Sequence, residues 1–114
     1  MRRLCSGCVR DYQPTVEELV FWERMEGAPN AHFRTADGCN RCSGTGFVDR
    51  IGVYEVLDVN EEISERLVHD RPSSDAMRTI AVANGLITLR AESVRLVEEG
   101  ATSILEVIRS VHTL

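Results

Sequence analysis

Apolar and polar positions along this 114-residue chain change their spacing near residue 58. Beyond it they recur with a helical period. Asn60 can cap a helix whose first turn carries Glu61 and Glu62, acids suited to the positive end of the dipole, with Ile63 and Leu67 on one face. Pro72-Ser73-Ser74-Asp75 restarts a second helix, with Met77, Ile80 and Ala81 inward and Gly85 as its stop. A third is expected from about Thr88 to Glu99, closed by Gly100. The fourth has the clearest pattern. Ser103-x-x-Glu106 reads as a capping box, and Ile104, Val107, Ile108 and Val111 fall at i, i+3, i+4 and i+7. Together these helices predict either a small self-contained bundle or a packing face for another chain.

Before residue 58 the pattern is mixed. Thr15-x-x-Glu18 is a capping box opening a helix on which Leu19, Trp22 and Phe21 or Met25 form an apolar face, and Gly27-Ala28-Pro29 ends it. An extended piece is expected around Ala31–Arg34. Residues 46–57 combine β-branched and aromatic content with the alternations Val48/Arg50 and Tyr54/Val56, which predicts a strand bent at Gly52. Every aromatic residue lies at or before Tyr54, so the remainder must pack with Leu, Ile, Val and Ala. The expected fold is α+β. Residues 1–58 form a small cysteine-bearing module with a helix insertion and short strands; residues 59–114 form a helical C-terminal subdomain of about four short helices.

Composition narrows the class. With 43% hydrophobic and 27% charged residues the chain is an ordinary globular sequence. No apolar run approaches the roughly 18–20 residues that a bilayer span needs, and Met1-Arg2-Arg3 leads into cysteines rather than a signal-peptide core. Neither direct membrane insertion nor an export signal is expected. The net charge is −5, and all thirteen basic residues are arginine. Residues 1–50 balance seven arginines against seven acids, so the whole excess lies in residues 51–114. A nucleic-acid partner calls for a basic face, and none is visible.

The four cysteines carry the chemistry. Cys5-x-x-Cys8 and Cys39-x-x-Cys42, separated by 30 residues, form the signature of a four-thiolate zinc site, since each short loop presents two sulfurs to one tetrahedral ion. Small residues at Ser6-Gly7 and Ser43-Gly44 let the backbone curl until amide groups approach the sulfurs. The same spacing has two other readings. Disulfides need an oxidising compartment. A redox Cys-x-x-Cys wants a strand before it and a helix starting at it, whereas Ser43-Gly44-Thr45-Gly46 reads as turn. Structural zinc on Cys5, Cys8, Cys39 and Cys42 is the expectation, with Arg3, Arg10 and Arg41 near enough in sequence to offset the charge. His32, His69 and His112 are then ordinary surface or core residues.

The quoted segments also resemble a family. Arg3-Leu4-Cys5-x-x-Cys8, then Gly38-Cys39-x-x-Cys42-x-Gly44-x-Gly46-Phe47 and Arg50-Ile51-Gly52-Val53-Tyr54-Glu55, look like the C-terminal part of the type II secretion and type IV pilus assembly ATPases. Gly85-x-x-Thr88-Leu89-Arg90 and Gly100-Ala101-Thr102-Ser103 extend the resemblance over nearly the whole chain. It implies a hexameric ATPase at the cytoplasmic face of the inner membrane. Its RecA-like motor domain binds ATP and Mg2+, and it acts on a membrane platform protein to drive pilin or pseudopilin assembly. The resemblance gives this chain the metal role of the four cysteines and no nucleotide-contacting or catalytic residue.

Two departures qualify what is implied. The chain contains no lysine, hence no Gly-x4-Gly-Lys-Ser/Thr loop, so the nucleotide-binding core is expected upstream of Met1 and the chain alone should not hydrolyse ATP. Where the family often carries Arg-Glu-Asp-Gly, this chain reads Arg90-Ala91-Glu92-Ser93 and lacks that glycine. Cys39-x-x-Cys42-x-Gly44-x-Gly46 is also the repeat of the zinc domain in DnaJ-type co-chaperones, a stand-alone polypeptide-binding alternative. That module uses four such repeats, and the unit occurs here once. Secretion, pilus and DNA-uptake motors share the segment and are not distinguished by it.

Overall fold

A computed structural model describes residues 1–111, so His112 lies outside the described residues. The secondary structure is α+β, as expected. Strand β1 (Arg2–Leu4) pairs antiparallel with β4 (Phe47–Arg50), and β2 (Val9–Asp11) with β3 (Arg34–Ala36). Helix α1 (Val16–Arg24) lies between β2 and β3. Helices α2 (Glu61–His69), α3 (Ser74–Ala83), α4 (Leu89–Glu98) and α5 (Ile104–Ser110) follow. Among the described residues no helix is long and apolar enough to cross a membrane.

The chain divides into two units, residues 1–53 with 90–111 and Tyr54–Leu89. This grouping differs from the 1–58 and 59–114 division expected from the sequence. The last two helices belong with the cysteine region, and the physical reason is a set of long-range contacts in the first unit. Leu4 N–H donates to the Ala101 carbonyl (2.9 Å), and Thr102 Oγ1 donates to the Arg2 carbonyl (2.8 Å). The buried Glu106 carboxylate accepts from the Arg2 backbone N–H (2.9 Å) and from the guanidinium groups of Arg2 and Arg109 (2.7 and 2.8 Å). Strand β1 is thereby fastened to the start of α5.

The core of this unit joins both halves of the sequence. Trp22, Met25 and Phe33 pack with Val94, Val97, Ile104, Val107 and Val111. Trp22 and Phe33 meet edge to face at 5.1 Å, and the indole N–H donates to the Ala28 carbonyl (2.9 Å). Valine and isoleucine from α4 and α5 thus close over the aromatics of the N-terminal region. Helix α1 has the capping box that its sequence predicts: Thr15 Oγ1 accepts from Glu18 N–H, and the Glu18 carboxylate accepts from Thr15 N–H. Of its expected apolar face, Trp22 and Met25 are buried while Leu19 stays largely exposed.

Two local expectations are corrected. The strand predicted over 46–57 is formed over Phe47–Arg50 among the described residues, with Ile51 N–H donating to the Met1 carbonyl just beyond it (2.7 Å). Ser103 caps α5 through Oγ accepting from Glu106 N–H (3.1 Å), but the reciprocal half of the box is not formed. Glu106 turns instead to the two guanidinium groups, whose charge outbids a neutral amide.

In the second unit, Asn60 and Ser73 cap α2 and α3 through side chains accepting from Ile63 and Ala76 N–H. Its buried apolar residues among those described are Ile63 and Ala81. Leu67, expected inward with Ile63, is largely exposed.

Burial opposes ionisation of Glu106, but the Arg109 and Arg2 guanidiniums outweigh it and hold the carboxyl down to about 2. Because the folded protein holds this proton less tightly than the unfolded chain, the contribution to stability is full above about pH 4.5 and is lost as pH falls toward 2. Glu106→Gln should lower unfolding stability by ~2–3 kcal/mol at pH 7. It should also flatten the acid limb of the stability curve between those pH values in urea titrations.

Candidate metal centre

Each cysteine pair sits on a tight turn held by the short strands. Cys5 and Cys8 lie between β1 and β2, with Cys8 N–H donating to the Cys5 carbonyl (3.3 Å). Cys39 and Cys42 bracket a single 3-10 turn after β3, closed by Gly44 N–H donating to the Cys39 carbonyl (2.9 Å). Cys5 N–H donates to the Gly46 carbonyl (2.9 Å), tying one knuckle to the other. The strand pairs β1–β4 and β2–β3 bring together two segments 30 residues apart in sequence.

All four sulfurs lie within 4.8 Å of one another, and Cys5–Cys39, Cys8–Cys42 and Cys39–Cys42 are each 3.8 Å apart. A tetrahedral ion with metal–sulfur bonds of about 2.3 Å, as zinc takes, needs sulfur–sulfur edges of about 3.8 Å. The cluster therefore has the dimensions to hold one metal ion with every ligand position filled by protein. That leaves no open position for substrate. Cys5 and Cys42 are buried, and Cys8 and Cys39 are half-buried.

The polar surroundings are uneven. Cys42 Sγ accepts backbone N–H bonds from Cys39 (3.1 Å) and Gly46 (3.2 Å). Burial would raise its thiol, but these amides outweigh it and bring the group down to about 6. Cys8 is pushed up to about 12, by burial first and then by the other sulfurs crowding it, against an opposing bond from the Gly38 backbone. Four sulfurs this close cannot all carry charge cheaply on their own. A divalent cation removes that conflict and turns mutual repulsion into ligation.

All four sequence-predicted ligands are thus brought to one point. The expected charge partners divide. Arg41 runs beside Gly7 next to the cluster, where a Cβ added at Gly7 would stand 3.3 Å from Cys39 Sγ and 3.5 Å from Arg41 Cδ. Arg10 turns away to a two-pronged pair with Asp37 (2.7 and 2.8 Å). His32 pairs with Asp11 at 3.2 Å and His69 lies in the last turn of α2. Neither is among the metal-capable cluster. The Gly46 amide was not singled out from sequence, although the Gly44-x-Gly46 pair beside the second knuckle was its visible signal.

The model of the family described as "Type II/IV secretion system protein" matches residues 1–109. Among individual proteins, the chain is similar to the type IV pilus assembly ATPase PilB of Thermus thermophilus, with 31% identity over 113 residues. It is likewise similar to the type II secretion system protein HxcR of Pseudomonas aeruginosa (31% over 109 residues) and the type II secretion system ATPase E of Vibrio cholerae (29% over 109 residues). These alignments cover 95–96% of this chain but only 12%, 19% and 21% of the three relatives.

Backbone shape at the second knuckle makes a specific demand. Gly38 has φ +98°, and a Cβ there would stand 2.4 Å from the Gly44 carbonyl oxygen. Gly44 has φ +77°, with open space around it. Gly38→Ala should therefore cost ~2–3 kcal/mol and weaken metal uptake, whereas Gly44→Ala should cost ~1 kcal/mol. Cobalt(II) titration followed by thiolate charge-transfer absorption, with thermal unfolding alongside, separates the two.

Proposed function

The chain belongs to the type II/IV secretion system protein family, and on that premise we propose that it is the zinc-binding structural and coupling segment of a hexameric ATPase that powers pilin or pseudopilin assembly. The observation that carries this reading is the convergence of Cys5, Cys8, Cys39 and Cys42 at tetrahedral spacing inside the matched region. The names of the relatives, assembly ATPases of pilus and secretion systems, supply the machine. Nucleotide binding and hydrolysis belong to a RecA-like motor domain outside this chain. The partners are that domain, sibling subunits and an inner-membrane platform protein, and the setting is the cytoplasmic face of the membrane.

Zinc supplies positive charge and a four-way cross-link. The protein's own groups do the rest. The amides of Cys39 and Gly46 hold Cys42 toward the cluster centre, and β1 passes the clamped unit directly to α5 through Glu106. Zinc binding to small cysteine modules is worth roughly 10–16 kcal/mol, as large as the whole stability of a typical domain at about 5–15 kcal/mol. With zinc bound, β1, the two knuckles and the last two helices move as one body. Such a body can carry nucleotide-driven motion to a neighbour.

Native mass spectrometry with and without a chelator tests the metal assignment. One zinc per chain is expected, lost together with compact charge states on chelation. A compact metal-free chain, or one lighter by two or four hydrogens, would overturn it. In the full-length ATPase, Cys39→Ser should reduce hexamer formation or secretion and pilus assembly by at least about 10-fold; intact hexamers with unchanged assembly would remove the coupling role.

A further inference from the structure

The four sulfurs are not equally sheltered. Cys5 and Cys42 are 0% and 6% exposed, while Cys8 and Cys39 are half-buried. Of the two half-buried sulfurs, Cys39 has two sulfur neighbours at 3.8 Å, Cys5 and Cys42, and Cys8 has one, Cys42. Gly7 keeps the space beside Cys39 open. A Cβ added there would stand 3.3 Å from Cys39 Sγ and 3.5 Å from Cys5 Sγ, so a missing side chain leaves this pair of sulfurs uncovered. Arg41, whose Cδ lies 3.5 Å from the same point, brings a cationic side chain to the opening. A sulfur that is accessible and charged is the one an oxidant reaches first.

The two neighbours of Cys39 differ as well. Cys42 Sγ accepts N–H bonds from Cys39 (3.1 Å) and Gly46 (3.2 Å), which fix it in place and stabilise its charge. A thiolate stabilised by donors is the weaker nucleophile. Among the described residues the one hydrogen-bonding contact of Cys5 Sγ is to Cys39 Sγ itself. Cys5 is therefore the freer of the two to attack an oxidised Cys39. The pair also bridges the two knuckles, since its members are 34 residues apart in sequence.

We propose that Cys39 is a modification site for hydroperoxides and that Cys5 resolves it into a disulfide between the knuckles, so that the cluster no longer holds its metal ion. This rests on the zinc reading above and adds redox control to it. The Cys39 thiolate attacks one oxygen of the hydroperoxide. An S–O bond forms, the O–O bond breaks, and the departing oxygen takes a proton from water. Sulfur gives up two electrons and the peroxide gains them. The Cys5 thiolate then attacks the Cys39 sulfur; the S–S bond forms and hydroxide leaves, also to be protonated by solvent. For hydrogen peroxide the sum is two thiolates, one peroxide and two protons giving one disulfide and two waters. The sulfurs have to close from 3.8 Å to about 2.0 Å. Two of the four ligands are then gone, and a reducing thiol restores both.

Hydrogen peroxide is the probe, added to the whole chain after purification in reductant and removal of that reductant. Before oxidant, native mass spectrometry should show one zinc per chain. One equivalent of peroxide should release the zinc to a chromophoric chelator and leave a chain lighter by two hydrogens, and a reducing thiol should restore zinc binding. Trypsin cuts after Arg3, Arg10, Arg34 and Arg41, which puts Cys39 and Cys42 on different peptides. Tandem mass spectrometry should find residues 4–10 joined to residues 35–41, with fragments that place the bond on Cys5 rather than Cys8. Gly7→Ala keeps all four cysteines and covers the opening, and should slow zinc release by about 5-fold or more. Zinc retained through excess peroxide, a first bridge between any other pair, or oxygen adducts in place of a bridge would overturn the proposal and leave the metal reading intact. No zinc before oxidant, followed by the same Cys5–Cys39 bridge, would remove the metal reading and leave the modification site standing. If Gly7→Ala does not bind zinc, the bridge found in the unsubstituted chain decides.

Discussion

Four sulfurs within 4.8 Å of one another, three of their pairs at 3.8 Å, are the constraint around which the first unit is arranged. They come from two turns far apart in sequence. The strands that deliver them are three or four residues long, shorter than a sheet needs for independent stability. Each pairing therefore depends on the knuckles being drawn together, and the knuckles depend on the pairings for their alignment. A metal ion held by the four cysteines would end this circularity, because it would replace mutual repulsion between thiolates with four strong bonds.

The rest of the unit is built outward from that point. Strand β1 leads from the first knuckle to Arg2, whose backbone and guanidinium both reach Glu106 at the start of α5. The same guanidinium lies 4.0 Å from the centre of the Phe47 ring on the paired strand. One side chain thus links β1, β4 and α5. A buried carboxylate with a single partner would be a liability, but this one accepts from two guanidinium groups and an amide, so its charge is matched on every side. Beneath it the apolar faces of α4 and α5 close over Trp22 and Phe33. The four-cysteine cluster and the ion pairs draw together the elements that surround this modest core.

The second unit is stabilised differently. Its helices are capped in the regular way, and Asn60 at the start of α2 donates to Asn84 at the end of α3 (2.8 Å). Yet little of its apolar surface is buried. Val59, Val68, Val82 and Ile87 remain largely exposed there, in a stretch of seven acids and three arginines.

Much of this was legible in the sequence because the interactions involved are local. Cysteine pairs at a two-residue spacing, the Thr15–Glu18 box, the Asn60, Ser73 and Ser103 caps and the glycine stops act over three or four residues, so they can be read without knowing the fold. The four-cysteine set, the helix order and the family resemblance all follow from such signals. Other features depended on partners distant along the chain. Glu106 forsakes its capping role only because Arg2, 104 residues away, is brought beside it. The strand pattern of 46–57 is realised over Phe47–Arg50, where β1 pairs with it. The last two helices join the cysteine unit because hydrogen bonds to β1 and an aromatic core await them there. Sequence by itself determined the local elements and the ligand set, where short-range chemistry decides. Tertiary structure alone decided the grouping and the fate of each charge, because those depend on which distant residue arrives.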